Sequence, residues 1–134
     1  KPIINGQPIE KLLLSPTRIY VKPIIQLIKK VKIKGLAHIT GGGITENIPR
    51  ILKNTIQAEI NINSWSQGPV FDWLSIAGKI SPDEMRKTFN CGVGMVVIVE
   101  QSDLNSTLDI LNKTGEVAWK LGEITSGKGK VKYV

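Results

Sequence analysis

Leu36, Ala37, His38, Ile39, Thr40, Gly41, Gly42, Gly43, Ile44, Thr45, Glu46, Asn47, Ile48, Pro49 and Arg50 form the stretch on which the reading of this sequence turns. Leu36 to Thr40 is short and rich in apolar residues, as a buried strand is, and the three glycines cut it off. Pro49 lacks the N–H that a helix interior needs and fits only a first turn. The helix that follows, through about Leu52, must therefore begin close behind the glycines. A strand that runs into a glycine turn and a helix start presents backbone amides, unshielded by any Cβ, at the positive end of a helix dipole. Such an arrangement suits a phosphate-sized anion. Alternate strand residues share a face, so His38 and Thr40 are both placed to meet something resting on the turn. Arg50, within the first helical turns, adds a guanidinium able to make a charge-assisted bond. On these residues alone anion binding and a plain tight connection both stay open, because GGG matches neither GxGxxG nor GxxxxGK[ST]. His38 likewise reads as a hydrogen-bonded core residue or as a catalytic one.

Upstream of this stretch, Ile24, Leu27, Ile28 and Val31 recur at helical spacing among Lys22, Gln26, Lys29 and Lys30, which predicts an amphipathic helix over about 18–33, ended by Gly35. Downstream, Ile56, Ala58, Ile60 and Ile62 alternate with polar residues, the period of a half-buried strand over 55–62. Residues 68–77 read as a helix ended by Gly78, and Ser81 to Glu84 as a capping box that starts another. Gly94 to Val99 is continuously apolar, as a central strand covered on both faces would be. Ser102 is placed to cap a helix carrying Leu104, Leu108 and Leu111, with Gly115 past its end. Val117 to Thr125 and Val131 to Val134 read as closing strands joined by a tight turn. The order is roughly ααβαβααβαββ, without repeats or a linker, and implies an α+β fold: a layered α/β sandwich of a mixed sheet packed with helices.

Residues 1–134 have the length of one domain, and 41% hydrophobic with 22% charged residues is a globular composition. The longest apolar run is too short to span a bilayer, and residues 1–16 lack the features of a secretory leader. A cytoplasmic protein is expected. With Cys91 the only cysteine and His38 the only histidine, there is no internal disulfide, and a zinc site would have to lean on carboxylates, so no metal site is assigned. Cys91 reads as a small buried hydrophobe rather than a nucleophile. The formal charge of +7 is the feature most open to misreading. It gathers at Lys29, Lys30, Lys32 and Lys34, and at Lys128, Lys130 and Lys132, where only Tyr133 offers a stacking ring. Solvated lysine faces are the preferred reading, and a small basic nucleic-acid-binding module is the alternative.

Leu36 to Arg50 closely resembles the signature of the carboxy-terminal domain of the phosphoribosylformylglycinamidine cyclo-ligase (aminoimidazole ribonucleotide synthetase) family. Three more segments resemble that family in the same order: Pro16 to Tyr20, Phe89 to Met95, and Ala118 to Gly122. Together they cover nearly the whole chain. The resemblance implies an ATP-dependent ring closure that turns formylglycinamidine ribonucleotide into aminoimidazole ribonucleotide. Mg²⁺ would accompany the ATP, and both would be bound mainly by an amino-terminal domain whose motifs are absent here. It further implies a homodimer for the full-length enzyme, with no nucleic-acid or membrane partner. His38 then becomes the candidate catalytic side chain, and Thr40, Gly41, Gly42, Gly43, Asn47 and Arg50 the substrate- or phosphate-binding set facing the cleft between domains. A non-catalytic dimerisation or regulatory piece is a further reading.

Overall fold

A computed structural model describes residues 2–134, so of the span expected to form the domain only Lys1 lies outside the described residues. Ile3–Ile4 (β1) and Gln7–Pro8 (β2) make a small antiparallel hairpin. Asn5 and Gly6 form its turn, both at positive φ, the backbone that a two-residue hairpin loop demands. Then follow helices Ile9–Leu13 (α1) and Val21–Ile28 (α2), strand Gly35–His38 (β3), helix Gly43–Asn47 (α3) continued by a 3₁₀ turn at Ile48–Ile51, and strand Ile56–Ile60 (β4). Helices Pro69–Gly78 (α4) and Pro82–Thr88 (α5), strand Met95–Ile98 (β5), helix Leu104–Lys113 (α6), and strands Gly122–Ser126 (β6) and Val131–Tyr133 (β7) complete the order. Past the hairpin this is the expected ααβαβααβαββ, an α+β fold.

Two sheets divide the core. β3 and β5 pair antiparallel, with His38 opposite Met95 and Leu36 opposite Val97. β4 lies between β6, antiparallel, and β7, parallel, in a mixed three-stranded sheet. The β3–β5 ribbon separates two apolar clusters because its side chains alternate between faces. Ala37, Ile39 and Val96 join Ile44, Ile48, Ala58, Ile60 and Val93, while Val97 and Val99 join Leu27, Val31 and Leu111 under α2 and α6. β5 thus packs on both faces as its valine-rich run predicts, although among the described residues β3 is its only strand partner.

Several boundaries differ from the sequence-based expectation. α2 stops at Ile28, where Lys30 and Val31 both donate to the carbonyl of Leu27, and Gly35 opens β3 rather than ending the helix. Lys79, not Gly78, takes the left-handed position after α4. Ser81 caps α5 by accepting from Glu84 N at 3.3 Å, while the Glu84 carboxylate accepts from Thr88. Ser102 sits inside a 3₁₀ turn, and Asp103 is the residue before α6. β6 starts only at Gly122 because a Cβ there would run into the Glu59 backbone; glycine lets the ladder form from that point. β6 and β7 do not pair with each other as a hairpin would. The residues between them clip onto the start of β4, with Gly127 N on Thr55 O and Gly129 N on Ile56 O, so β7 passes to the far side of β4.

Leu27 is fully buried in the second cluster, and the indoles of Trp65 and Trp119 lie against the first. Leu27→Ala should cost about 2–5 kcal/mol. If the ribbon couples the clusters, urea unfolding followed by tryptophan fluorescence and by far-ultraviolet circular dichroism will shift to the same lower midpoint. A fluorescence midpoint left at the wild-type value would mean that the clusters unfold separately.

Candidate functional site

β3 delivers the glycine turn at its carboxy end. Ala37 and Ile39 point into the first cluster, so alternation turns His38 and Thr40 outward, where both are exposed together with Gly41. The three glycines meet different demands. Gly42 and Gly43 have φ of +94° and +59°, the left-handed region that glycine enters without strain. A Cβ on Gly43 would also strike the backbone carbonyl oxygens of Arg86 and Phe89, which cannot swing aside. A Cβ on Gly42 would meet the Glu46 side chain, whose carboxylate rests against the turn. Gly41 lacks both constraints: its φ is not left-handed, and a Cβ there would meet nothing within 4 Å. Of the three it is the one that nothing inside the domain requires to be glycine.

Asn47 holds the turn from below. It is 4% exposed, and its side-chain amide faces the carbonyls of Gly43 at 2.8 Å and of Thr40 and Gly41 at 3.2 Å. Its Oδ1 accepts a long bond, 3.5 Å, from Thr40 Oγ1. Helical side chains lean toward the amino end, so the amide of Asn47, the last residue of α3 and one turn past Gly43, reaches back to the glycines. Both amide hydrogens are therefore engaged inside the protein, and Asn47 shapes the turn rather than presenting itself at the surface. Arg50 is exposed but near the far end of the helical segment, seven residues beyond Gly43, a rise of roughly 10 Å. The structure gathers His38, Thr40 and Gly41 at one edge and leaves Arg50 apart from them.

Behind the turn, Thr45 Oγ1 bonds the Arg86 carbonyl at 3.2 Å and the Tyr133 hydroxyl at 2.7 Å, and the Arg86 guanidinium lies 4.7 Å over the Tyr133 ring. Burial pushes the Tyr133 hydroxyl pKa up, partly offset by its bond to Thr45 and by Arg86. Cys91 is buried, and burial raises its thiol pKa against the opposing pull of Arg86, so the sulfur stays a protonated packing group. Beside His38 lies Tyr20, ring centroids 6.0 Å apart and planes at 65°, a contact that the strand pattern did not reveal because Tyr20 comes from the segment before α2.

A groove lies elsewhere. An open groove of about 1160 Å³ runs between β5 and β6, lined mainly by apolar side chains such as Ala58, Ile60, Val96, Ile98 and Leu121. Neither His38 nor Gly41–Gly43 lines it. An apolar groove of this kind suits packing, whereas an anion is better served by the amides of the turn. Among the described residues, no three of His, Cys, Asp and Glu gather so as to hold a metal ion. No described helix is long and apolar enough to cross a membrane.

Residues 2–134 match the family described as AIR synthase related protein, C-terminal domain. The chain belongs to this family. It is 48% identical over 130 residues to the phosphoribosylformylglycinamidine cyclo-ligase of Methylobacillus flagellatus, a match covering 96% of this chain and 38% of the relative. The enzyme of that name from Nitrosococcus oceani is 50% identical over 121 residues, 90% of this chain and 34% of the relative. That from Neisseria meningitidis is 47% identical over 125 residues, 93% and 36%. The chain thus spans little more than a third of the length of these relatives.

Replacing Asn47 by Ala removes the side-chain donor from the buried Gly43 carbonyl and loosens the turn, although Thr40 O keeps its bond from Gly43 N, and should cost about 2 kcal/mol. Asn47→Asp is the sharper test. A carboxylate cannot donate to carbonyls, so the buried acid has a folded pKa above its unfolded value of about 4. The unfolded state then ionises first, and the variant should lose stability as pH rises above about 4 until the folded acid also ionises. Urea midpoints at pH 4 and pH 7 check this. Equal midpoints for Asn47→Asp at the two pH values, each corrected for the parent protein, would show that the amide is not committed to the turn.

Proposed function

We propose that residues 1–134 are the carboxy-terminal domain of an ATP-dependent cyclo-ligase, the purine-pathway enzyme that converts formylglycinamidine ribonucleotide and ATP to aminoimidazole ribonucleotide, ADP and phosphate. One observation carries the reading: relatives of that name are 46–50% identical across 90–96% of the chain. In this reaction the formyl oxygen takes the transferred phosphoryl group and ADP departs. An amine nitrogen then attacks the activated carbon, and phosphate leaves as the ring closes. His38, Thr40 and Gly41 are assigned to the edge that faces the substrate, in the cleft against an amino-terminal domain. There they hold the phosphorylated substrate and meet the charge that develops during transfer. The turn is held in shape in advance by Asn47 and Gly43, so its amides need no reorganisation as charge builds. Glu46, an exposed side chain resting on Gly42, must swing aside for an anion to sit there.

ATP and Mg²⁺ are assigned to the part of the enzyme that the relatives carry beyond the matched third. This chain supplies no cluster of metal ligands among its described residues. A cytoplasmic homodimer is the form proposed for the whole enzyme. Three contacts weigh against the nucleic-acid reading. Lys34 is paired with Glu100 at 2.7 Å, a contact that holds the Glu100 carboxyl below its usual range, and Lys132 lies 3.6 Å from Glu59. Tyr133, the ring beside the basic tail, is covered by Arg86 and bonded to Thr45.

The test is ADP release dependent on formylglycinamidine ribonucleotide, run on the chain alone and on the full-length parent enzyme. The chain alone should be inactive, because phosphoryl transfer rests on positioning ATP and its metal against the acceptor. In the parent enzyme, His38→Ala and Gly41→Asp should each lower kcat/KM by about 100-fold or more with the melting temperature nearly unchanged. Gly41 is the right glycine to charge, since any side chain at Gly42 or Gly43 would strain the backbone as well. Turnover by the chain alone would refute the missing-domain assignment, and wild-type kinetics in both variants would remove this edge from the mechanism.

A further inference from the structure

We propose that Tyr20 is a positioning residue for His38, holding the imidazole at the angle the reaction uses; this rests on the reading of His38 as a group that faces the substrate. His38 is exposed at the end of a strand, and among the described residues no hydrogen bond fixes its ring. An imidazole so placed moves between rotamers on a fast timescale. The Tyr20 ring meets it edge to face, at 6.0 Å and 65°, the geometry that aromatic quadrupoles favour. A ring contact restrains the imidazole without using either nitrogen, so both remain free for a substrate.

Two independent features show that the tyrosine is itself held in place. Arg18, two residues earlier, binds the Glu116 carboxylate through Nε at 2.7 Å and the Gly115 carbonyl through Nη2 at 2.7 Å, anchoring the arm to the turn after α6. Gly94, the residue before β5, has no left-handed φ, so its backbone would accept a side chain. The three atoms nearest to a Cβ built there are the Tyr20 hydroxyl, Cζ and Cε2. Position 94 is glycine to make room for this tyrosine. The Gly94 carbonyl also accepts from Ile39 N at 2.9 Å, so the tyrosine is seated at the strand end that carries His38. Burial and the nearby Glu116 raise the Tyr20 hydroxyl pKa while Arg18 opposes them, so the hydroxyl stays neutral in the working pH range.

The experiment uses the full-length parent enzyme. Tyr20→Leu should lower kcat about 3- to 10-fold, the factor expected of one aromatic pair, with the KM for ATP unchanged, while Tyr20→Phe stays within about 2-fold of wild type. In a His38→Ala background Tyr20→Leu should change nothing further, because the tyrosine acts only through the imidazole. Gly94→Ala should reproduce the Tyr20→Leu defect by pushing the ring aside, and adding Tyr20→Phe to it should restore part of the loss, since the hydroxyl makes the worst contact. The His38 Cε1–H resonance should move in Tyr20→Leu and hold in Tyr20→Phe, a readout independent of turnover. Should Tyr20→Leu fail to fold, Gly94→Ala and its suppression carry the same test. An equal loss from Tyr20→Leu with and without His38, or an unmoved His38 resonance, overturns the positioning role alone. Wild-type turnover in His38→Ala overturns the site reading, and the positioning role with it.

Discussion

Gly43 brings the start of α3 so close to the end of α5 that the carbonyl oxygens of Arg86 and Phe89 occupy the space a side chain would need. Much else follows from that approach. It sets Thr45 within reach of the Arg86 carbonyl and the Tyr133 hydroxyl, which ties β7 to the back of the glycine turn. It also aims α3 so that Ile44 and Ile48 enter the first core cluster, where they meet Ala58 and Ile60 from β4. With α3 fixed, Asn47 can gather the turn's carbonyls from beneath. The turn is then braced from beneath, with the outward Thr40 hydroxyl making a long bond to Asn47 Oδ1.

The same economy appears in the ribbon. Because β3 and β5 expose a different cluster on each face, the short β3 strand can position His38 while its neighbours Ala37 and Ile39 anchor it in the interior. A strand end fastened by its buried neighbours is a good place for a polar group that must hold its position yet remain open to a ligand. Rigidity of the imidazole itself needs something more, and Tyr20 is the side chain that touches it.

His38 and the glycine turn do not line the groove between β5 and β6, although Tyr20, the neighbour of His38, does. The groove is lined mainly by apolar side chains, whereas His38, Thr40 and Gly41 are exposed to solvent. An exposed edge cannot exclude water from a phosphoryl transfer, and that step depends on dry, fixed surroundings. In the proposed site this chain would supply one wall and the second would come from outside the matched span, which is little more than a third of the relatives' length.

How far the sequence alone carries is clearest at particular residues. Period-two alternation from Ile56 to Ile60 and the helical spacing of Ile24, Leu27 and Val31 decided the type and order of the elements, because burying an apolar stripe is a local demand written in spacing. The same local logic placed His38 and Thr40 on one face of β3 and marked the glycines as a turn. It failed where the deciding partner is remote in sequence. β7 lies against β4 rather than β6 because Gly127 and Gly129 bond to Thr55 and Ile56, and the α2 boundary moved because the chain must turn into β3. Asn47 and Gly43 looked like ligand-facing residues and are instead committed inward, while His38, Thr40 and Gly41 stay exposed. Tyr20 became visible only once Gly94 and His38 had been brought beside it. Spacing determines which elements form, since that depends on neighbours along the chain. Only tertiary packing, which joins residues tens of positions apart, decides which polar groups are spent inside the protein and which are left to meet a ligand.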